Sequence, residues 1–283
     1  MIDVPMNQAA FFQQLFSLQG QTALVTGGSG ALGSAMAKAL ATAGARVVIM
    51  GRRAEPCERV AQDIRAAGGQ ALGLACDVLD RPALERSAEE IIAAFGPVDT
   101  LINAAGGNHP QATTSAERPF FGLDARIVEQ ILGTNFTGTF HCCQVFGCKM
   151  AERGRGCIIN IASMAGLRPL TLVPAYSAAK AAVINLTQWL AVHMAQEYSP
   201  RIRVNALAPG FFLTDQNRYL LLDAQSGAPT PRAQAILAHT PMGRLGAADD
   251  LLGALLWLAS PAAAFVTGQV IAVDGGFSTF GGV

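Results

Sequence analysis

The chain has 283 residues, of which 51% are hydrophobic and only 14% are charged, and 30 are glycine. This composition has too much apolar surface for a disordered chain, and the length fits one large α/β domain. Twenty basic side chains balance twenty acidic ones, so the chain lacks the basic excess that a dedicated nucleic-acid binder needs.

No stretch of the sequence approaches the roughly 20 uninterrupted apolar residues of a membrane-spanning helix. The N-terminal segment has no basic region, and glutamines interrupt its apolar residues, so it does not resemble a secretory signal. We therefore expect a cytoplasmic protein without a membrane partner. The six cysteines show neither a CxxC pair nor a histidine at metal-ligand spacing, which predicts reduced, buried thiols and no metal site.

Short apolar runs recur along the chain and predict buried parallel strands. They lie at 22–25, 46–50, 71–75, 98–103, 157–162, 202–208 and 269–273. Segments of helical length and period alternate with them, at 31–43, 55–67, 82–95, 127–153, 175–198 and 249–260. This alternation predicts an α/β fold: a single Rossmann-type, doubly wound domain with a seven-stranded parallel sheet flanked by helices.

No linker, low-complexity tract or repeat interrupts this series. The sequence therefore predicts an N-terminal extension over 1–20 and one domain over 21–283. Two stretches break the alternation, at about 106–124 and 210–247. Both follow a strand, where open α/β sheets bind ligands, and we expect them to be loops that carry a substrate site.

The first predicted strand leads directly into a glycine-rich turn, Thr26–Gly33, which precedes a helix. Gly28, Gly30 and Gly33 match the G-x-G-x-x-G spacing, which lets backbone N–H groups and a helix N-terminus approach a pyrophosphate. The alternative is an ordinary strand–helix turn, because a chain with 30 glycines contains this spacing by chance. The strand and helix on either side favour a dinucleotide cofactor.

The second predicted strand ends in Met50-Gly51-Arg52-Arg53. An acidic residue that binds the ribose 2′-hydroxyl usually lies about 20 residues beyond the glycines, and none stands here. Two guanidinium groups take its place, and they suit a bidentate contact with a 2′-phosphate. The sequence thus predicts NADP as the preferred cofactor and NAD as the alternative, unless both arginines are simply solvated.

The segment Pro174–Lys180 begins a long apolar helix and places Tyr176 and Lys180 four residues apart, on one face. A phenol is a poor acid or base near neutrality, and an ammonium group beside it lowers its pKa. Ser163 ends the preceding strand, where it can hydrogen-bond a substrate oxygen. Tyr-x-x-x-Lys alone is common on helices, so its meaning depends on these neighbours.

Together these motifs resemble the short-chain dehydrogenase/reductase family over the chain from about residue 20 to residue 283. The further matching residues are Asp77-Val78, Asn103–Gly106, Asn135, Pro209-Gly210 with Thr214, and Asp274–Gly276. The sequence departs from the family pattern at Ala31 and Ala104. Ala31 replaces the middle glycine and could crowd a pyrophosphate unless Gly28 and Gly30 relax the turn.

The resemblance implies a dinucleotide-binding and catalytic domain in which a nicotinamide and a carbonyl carbon exchange a hydride. Tyr176 would donate a proton to the carbonyl oxygen, and Ser163 would orient that oxygen. Lys180 would lower the pKa of Tyr176 and hold the ribose, while Asn135 would anchor a water linking Lys180 to solvent. Ser163 and Asn135 could instead be caps or core polar residues. The expected cofactor contacts are Gly27, Ser29, Gly30, Leu32, Gly33, Arg52, Arg53, Asp77, Val78, Asn103, Ala104, Gly106, Tyr176, Lys180, Pro209, Gly210, Phe212 and Thr214.

Several strings resemble the branch of the family that contains D-mannonate oxidoreductases, also called fructuronate reductases. They lie at 106–114, 168–182, 209–218, 240–246 and 273–283. This second resemblance implies a sugar-acid substrate, D-fructuronate or D-mannonate. The expected substrate ligands are Asn108, His109, Gln216 and Asn217 for hydroxyl groups and Arg168 or Arg218 for the carboxylate. The alternative is that these side chains are solvated.

The favoured hypothesis is an NAD(P)H-dependent oxidoreductase of a sugar acid, and the resemblance implies a homotetramer. A second hypothesis keeps the enzyme but changes the substrate to another sugar, a sugar alcohol or a 3-oxoacyl thioester. A third is a non-catalytic dinucleotide sensor. Such a sensor would tolerate loss of Tyr176 or Lys180, so the presence of Asn135, Ser163, Tyr176 and Lys180 together disfavours it.

Overall fold

The structure, a computed structural model, describes residues 8–214 and 217–282. Its strands are β1 (Thr22–Thr26), β2 (Arg46–Gly51), β3 (Gln70–Ala75), β4 (Thr100–Asn103), β5 (Gly156–Ile161), β6 (Ile202–Pro209) and β7 (Val270–Val273). They form one parallel sheet in the order β3-β2-β1-β4-β5-β6-β7. The order reverses between β1 and β4, which confirms the predicted doubly wound α/β fold.

Helices connect the strands and cover both faces of the sheet. They are α1 (Gln8–Phe16), α2 (Ala31–Thr42), α3 (Ala54–Ala66), α4 (Arg81–Phe95), α5 (Ala125–Leu132), α6 (Gly138–Arg153), α7 (Met164–Leu167), α8 (Pro174–His193), α9 (Arg218–Leu221), α10 (Pro231–His239) and α11 (Leu252–Ala259). A π-helical turn, Gly133–Thr137, joins α5 to α6, and a second, Met194–Tyr198, extends α8.

Consecutive strand residues enter two different cores because side chains alternate across a sheet. Val25 and Ile49 pack on one face, in the cluster that contains Met36 of α2. Leu24 and Val48, their immediate neighbours in sequence, pack on the opposite face. Both faces are therefore apolar, which explains why the strands appear in the sequence as continuous hydrophobic runs rather than as alternating patterns.

Part of the predicted N-terminal extension is helical and packs against the rest of the domain. Helix α1 occupies Gln8–Phe16, and Leu18 is buried in the core cluster of the face that α2 covers. The Leu18 N–H donates a 2.8 Å hydrogen bond to the carbonyl oxygen of Ala43 at the end of α2. Residues 1–7 of the extension lie outside the described residues.

The two stretches predicted as loops differ in the structure. Residues 106–124 contain only the short 3₁₀ turns Pro110–Ala112 and Phe120–Gly122. The stretch at 210–247, in contrast, contains α9 and α10, so it is not simply a loop. Thr230 caps α10 by accepting a 3.2 Å hydrogen bond from the Ala233 N–H. Pro231 stands in the first turn, where proline is favoured.

The described part of the chain contains no helix that is both long and apolar enough to cross a bilayer. Within the same residues, no three His, Cys, Asp or Glu side chains group together as a metal site would require. All six cysteines are free thiols, and only Cys148 is exposed. Burial raises the pKa of the Cys143 thiol to about 12.

Candidate active site

A cleft of about 640 Å³ opens at the carboxyl end of the sheet. Because all strands are parallel, the segments that follow β1, β2, β4, β5 and β6 meet there. All the residues predicted to contact a cofactor line this cleft except Asn103. Ser163, Tyr176 and Lys180 line it as well, so the cleft joins the glycine-rich turn to the predicted acid–base residues.

The glycine-rich turn brings β1 and α2 into close contact. A Cβ atom on Gly33 would collide with the carbonyl oxygen of Gly27, so no larger residue fits there without moving backbone. Gly30 caps α2 without any side-chain hydrogen bond. The first N–H groups of α2 therefore face the cleft without a side-chain cap, which suits a pyrophosphate. Ala31 begins α2 and is exposed on the cleft wall.

Two arginines lie at one end of the cleft, where the segments that follow β2 and β3 meet. Arg52 and Arg53 are exposed and line the cleft beside Asp77 and Val78, which follow β3. Neither guanidinium group has a hydrogen bond or ion pair within the described residues. Asp77 accepts a 3.0 Å hydrogen bond from the Leu79 N–H. Both cations are therefore available to an anionic group in the cleft.

Ser163 and Tyr176 come together because α7 packs tightly on α8. Ser163 follows β5 and caps α7, with its Oγ accepting a 3.1 Å hydrogen bond from the Ala165 N–H. Gly166 of α7 lies against the backbone of Lys180, where a Cβ atom would come within 2.7 Å of the Lys180 carbonyl carbon. Gly166 thus allows the close approach of α7 to α8, and Ser163 and Tyr176 line the same cleft.

Lys180 is buried at the base of the cleft. Its Nζ donates a 2.8 Å hydrogen bond to the carbonyl oxygen of Ile161, the last residue of β5. The same Nζ lies 5.7 Å from the centre of the Tyr176 ring. Burial lowers the pKa of Lys180 to about 8, because desolvation disfavours the ammonium form. Both protonation states of this lysine are accordingly accessible near neutral pH.

The pKa of Tyr176 is raised above its usual value. Burial of the phenol is the main cause, and the side-chain hydrogen bond with Ser163 lowers the pKa by a smaller amount. The sequence predicted a net decrease caused by Lys180. Instead, desolvation of Tyr176 determines the direction of the shift, and Lys180 is itself desolvated. The phenol is therefore protonated at neutral pH and equipped to donate a proton.

Asn135 holds the segment that follows β4. It is buried in the π-helical turn between α5 and α6. Its Nδ2 donates hydrogen bonds of 2.8 Å to the Gly107 carbonyl oxygen and 2.9 Å to the Ile131 carbonyl oxygen. Its Oδ1 accepts a 3.0 Å hydrogen bond from the Gly107 N–H. Asn135 thus fixes the backbone at the cleft rim without itself lining the cleft.

Asn103 lies beneath the cleft rather than on its wall. Its Nδ2 donates a 2.9 Å hydrogen bond to the Oδ1 of Asn160, its neighbour across β4 and β5. The Nδ2 of Asn160 donates a 2.9 Å hydrogen bond to the Oγ1 of Thr187 on α8. This chain of buried amides connects the sheet to the helix that carries Tyr176.

Two of the predicted substrate residues reach the cleft. Asn108 and Asn217 line it, although the Nδ2 of Asn217 is bonded to the Phe212 carbonyl oxygen at 2.7 Å. His109 does not line the cleft, and its Nδ1 accepts a 3.2 Å hydrogen bond from the Gln111 N–H. Gln216 lies outside the described residues.

The structure does not place the two predicted carboxylate ligands on the cleft wall. The exposed Arg168 donates a 3.2 Å hydrogen bond from its Nε to the carbonyl oxygen of Ser278, tying this loop to the C-terminal segment. Arg218 is exposed at the start of α9.

Arg232 of α10 lines the cleft instead, and the sequence analysis missed it. The Thr230-Pro231 pair could have marked the helix start that carries this arginine.

Comparisons with known proteins identify the family. The family model described as short chain dehydrogenase matches residues 21–224. The chain therefore belongs to the short-chain dehydrogenase family and is an oxidoreductase, as the sequence predicted.

One similar protein is "Uncharacterized oxidoreductase UxuB" of Bacillus subtilis (strain 168), which is 50% identical over 276 residues, covering 94% of this chain and 98% of that protein.

Two solved structures are also similar. One is a "putative D-Mannonate oxidoreductase from Haemophilus influenza" with bound NAD, with 42% identity and a TM-score of 0.89, covering 94% of this chain and 98% of that chain. The other is a gluconate 5-dehydrogenase from Burkholderia cenocepacia J2315 in complex with NADP and tartrate. It has 33% identity and a TM-score of 0.86, covering 95% of this chain and 99% of that chain.

The hydrogen bonds of Asn135 predict an effect on stability. Asn135→Ala removes two side-chain hydrogen bonds to the half-buried backbone of Gly107, and each such bond contributes about 0.5–1.5 kcal/mol. We expect the free energy of unfolding in urea to fall by about 1–3 kcal/mol. Asn108→Ala is the matched control, because the exposed Asn108 amide donates its hydrogen bond to the Oγ1 of Thr113 rather than to a backbone group. Equal stability of the two variants would contradict the assignment.

Proposed function

We propose that this enzyme uses NAD(P)H to interconvert a ketone and a secondary alcohol on a sugar acid, with D-fructuronate and D-mannonate as the pair. The observation that carries the proposal is one cleft in which Ser163, Tyr176 and Lys180 adjoin a glycine turn without a side-chain cap. The names of two similar structures, a "putative D-Mannonate oxidoreductase" and a gluconate 5-dehydrogenase, support a sugar acid.

The residues present fit a dinucleotide. The turn Gly27–Gly33 and the N-terminus of α2 would hold its pyrophosphate, and the cleft residues that follow β3 would lie near its adenosine half. The segments that follow β4 and β6 would hold the nicotinamide half, beside Lys180. When bound, the cofactor supplies or accepts the hydride. We propose these contacts from the cleft lining and from the family resemblance.

In the reduction, the substrate carbon gains a hydride and the substrate oxygen gains a proton. Tyr176 donates that proton, since burial keeps its phenol protonated. Ser163, beside Tyr176, hydrogen-bonds the same oxygen and orients it. This arrangement localises the developing negative charge between two hydroxyl groups in a partly desolvated site. The oxidation uses the same residues in reverse, with Tyr176 taking the proton.

Lys180 replenishes the proton of Tyr176. Its pKa of about 8 means that the ammonium form dominates at pH 7 and that it gives up a proton at little energetic cost. The hydrogen bond to Ile161 holds Nζ at the base of the cleft. Asn135 fixes Gly107 nearby, and we propose that this rim anchors the water through which Lys180 exchanges protons with solvent.

Oxidation of NADPH by the purified protein tests the proposed substrate. We expect turnover with D-fructuronate and a kcat/KM at least tenfold lower with D-fructose, in which a hydroxymethyl group replaces the carboxylate. The panel also includes the reduction of an acetoacetyl thioester with NADPH and the oxidation of a sugar alcohol with NADP. A higher kcat/KM on the thioester or on a neutral sugar would replace the sugar-acid assignment by one of these alternatives. Binding of NADPH without turnover of any substrate would favour the sensor hypothesis.

The exposed and unpaired Arg52 and Arg53 support a preference for NADP. A 2′-phosphate would form charge-assisted hydrogen bonds with them, worth about 1.5–3 kcal/mol each or roughly 10- to 150-fold in affinity. We expect kcat/KM to be higher with NADPH than with NADH, and Arg52→Gln to narrow that ratio at least tenfold.

Arg59→Gln is the matched control for this cofactor preference, because Arg59 is an exposed arginine of α3 that pairs with Glu55. This variant should leave the ratio of NADPH to NADH use unchanged. A wild-type enzyme that uses NADH as well as NADPH would show that Arg52 and Arg53 do not select the cofactor.

A further inference from the structure

Arg232 lies on the side of the cleft formed by the segments that follow β5 and β6, which we call the substrate side. It belongs to the first turn of α10, in the segment that follows β6, and it lines the same cleft as Ser163 and Tyr176. Arg52 and Arg53 follow β2, on the other side of the switch between β1 and β4. The topology therefore separates Arg232 from the two arginines that we assign to the cofactor.

The guanidinium group of Arg232 has no partner. Within the described residues it forms neither a hydrogen bond nor an ion pair, although it is partly buried. Burial lowers its pKa, since the charged form loses solvent. Desolvation of a charge is costly unless an opposite charge compensates it. An anionic ligand in the cleft would therefore compensate the desolvation of this unpaired guanidinium group.

Among the described residues, the wall around Arg232 offers no competing anion. Asp77 is the only carboxylate among the described residues that line the cleft, and it follows β3 on the cofactor side. The described side chains that line the substrate side are largely apolar; they include Leu170, Val173, Phe211, Leu220 and Leu221. Lys180 is already bonded to Ile161. Among the described residues of this side, Arg232 is thus the cation left to face a substrate.

Helix α10 holds Arg232 in a fixed position. Ala233 and Ile236 are buried in a cluster with Leu221 of α9, and Phe277 packs against this cluster. The Thr230 Oγ1 donates a 2.8 Å hydrogen bond to the Leu220 carbonyl oxygen. These contacts anchor α10 on both sides of the cleft-facing arginine. The guanidinium is accordingly presented by a packed helix rather than by a free loop.

We infer that Arg232 binds the carboxylate of the substrate and determines the preference for acids over neutral sugars. This inference rests on the proposed sugar-acid function. A guanidinium group offers two parallel N–H donors to a carboxylate, and this geometry also orients the ligand. The two arginines that the sequence suggested, Arg168 and Arg218, do not reach the cleft wall.

The test compares Arg232→Gln with Arg168→Gln and Arg218→Gln as matched controls. For Arg232→Gln we expect KM for D-fructuronate to rise about 10- to 150-fold, with kcat/KM for D-fructose and the Kd for NADPH nearly unchanged. Both controls should stay within about threefold of wild type on all three measurements. Arg232→Lys should recover part of the loss, because it keeps the charge without the paired donors.

Equal losses of kcat/KM on acid and neutral substrates in Arg232→Gln would overturn the inference. So would a rise in KM confined to Arg168→Gln or Arg218→Gln. Retained thermal stability and NADPH binding in each variant exclude a folding defect as the cause of any loss.

A binding measurement separates this inference from the proposed function. Calorimetry of D-mannonate and D-mannitol with the NADPH-loaded protein avoids turnover, because cofactor and ligand are then both in their reduced forms. If D-fructuronate is not reduced but D-mannonate binds in an Arg232-dependent manner, the proposed reaction fails and the carboxylate site stands. If D-mannonate binds equally well to wild type and to Arg232→Gln, or does not bind to the wild type, the carboxylate site fails.

Discussion

The hydrogen bond from Lys180 Nζ to the Ile161 carbonyl oxygen joins the helix that carries Tyr176 to the strand that precedes Ser163. It acts where the carboxyl ends of the parallel strands meet, so the orientation of the whole sheet determines where these side chains lie. The close approach of Gly166 to Lys180 reinforces the same junction. The phenol, the serine and the ammonium group therefore line one cleft.

Desolvation shifts the pKa values of Tyr176 and Lys180 and so determines their protonation states. It raises the pKa of Tyr176 and lowers that of Lys180 to about 8, since burial disfavours each charged form. The two groups therefore rest as a neutral acid and as a cation that loses its proton readily. This combination suits the delivery of a proton to a substrate oxygen near neutral pH, as expected for a short-chain dehydrogenase that reduces a carbonyl group.

The sequence predicted the sheet well because its strands are buried on both faces. Leu24 and Val25 are both fully buried although they point in opposite directions, so β1 appears as an unbroken apolar run. The pairing of Tyr176 with Lys180 follows from helical periodicity alone. Local sequence patterns of this kind are therefore sufficient to predict most of the fold and the pairing of Tyr176 with Lys180.

Contacts between distant segments could not be predicted in the same way. The double hydrogen bond between Asn135 and Gly107 depends on a π-helical turn that no local pattern marks. Arg168 and Arg232 look alike in the sequence, yet one bonds to Ser278 and the other lines the cleft. The path of the chain after β6, with two short helices in place of a loop, decides which arginine lines the cleft.

We propose that Tyr176 acts as the proton donor and that its hydroxyl group contributes little to the affinity for the cofactor. The most direct test is the kcat of Tyr176→Phe for D-fructuronate reduction, or for whichever ketone the wild type reduces best. Tyr198→Phe, at an exposed tyrosine, serves as the control. We predict a loss of about 10²- to 10⁴-fold with an unchanged Kd for NADPH. A Tyr176→Phe enzyme that retains more than about a tenth of the wild-type kcat would contradict this account.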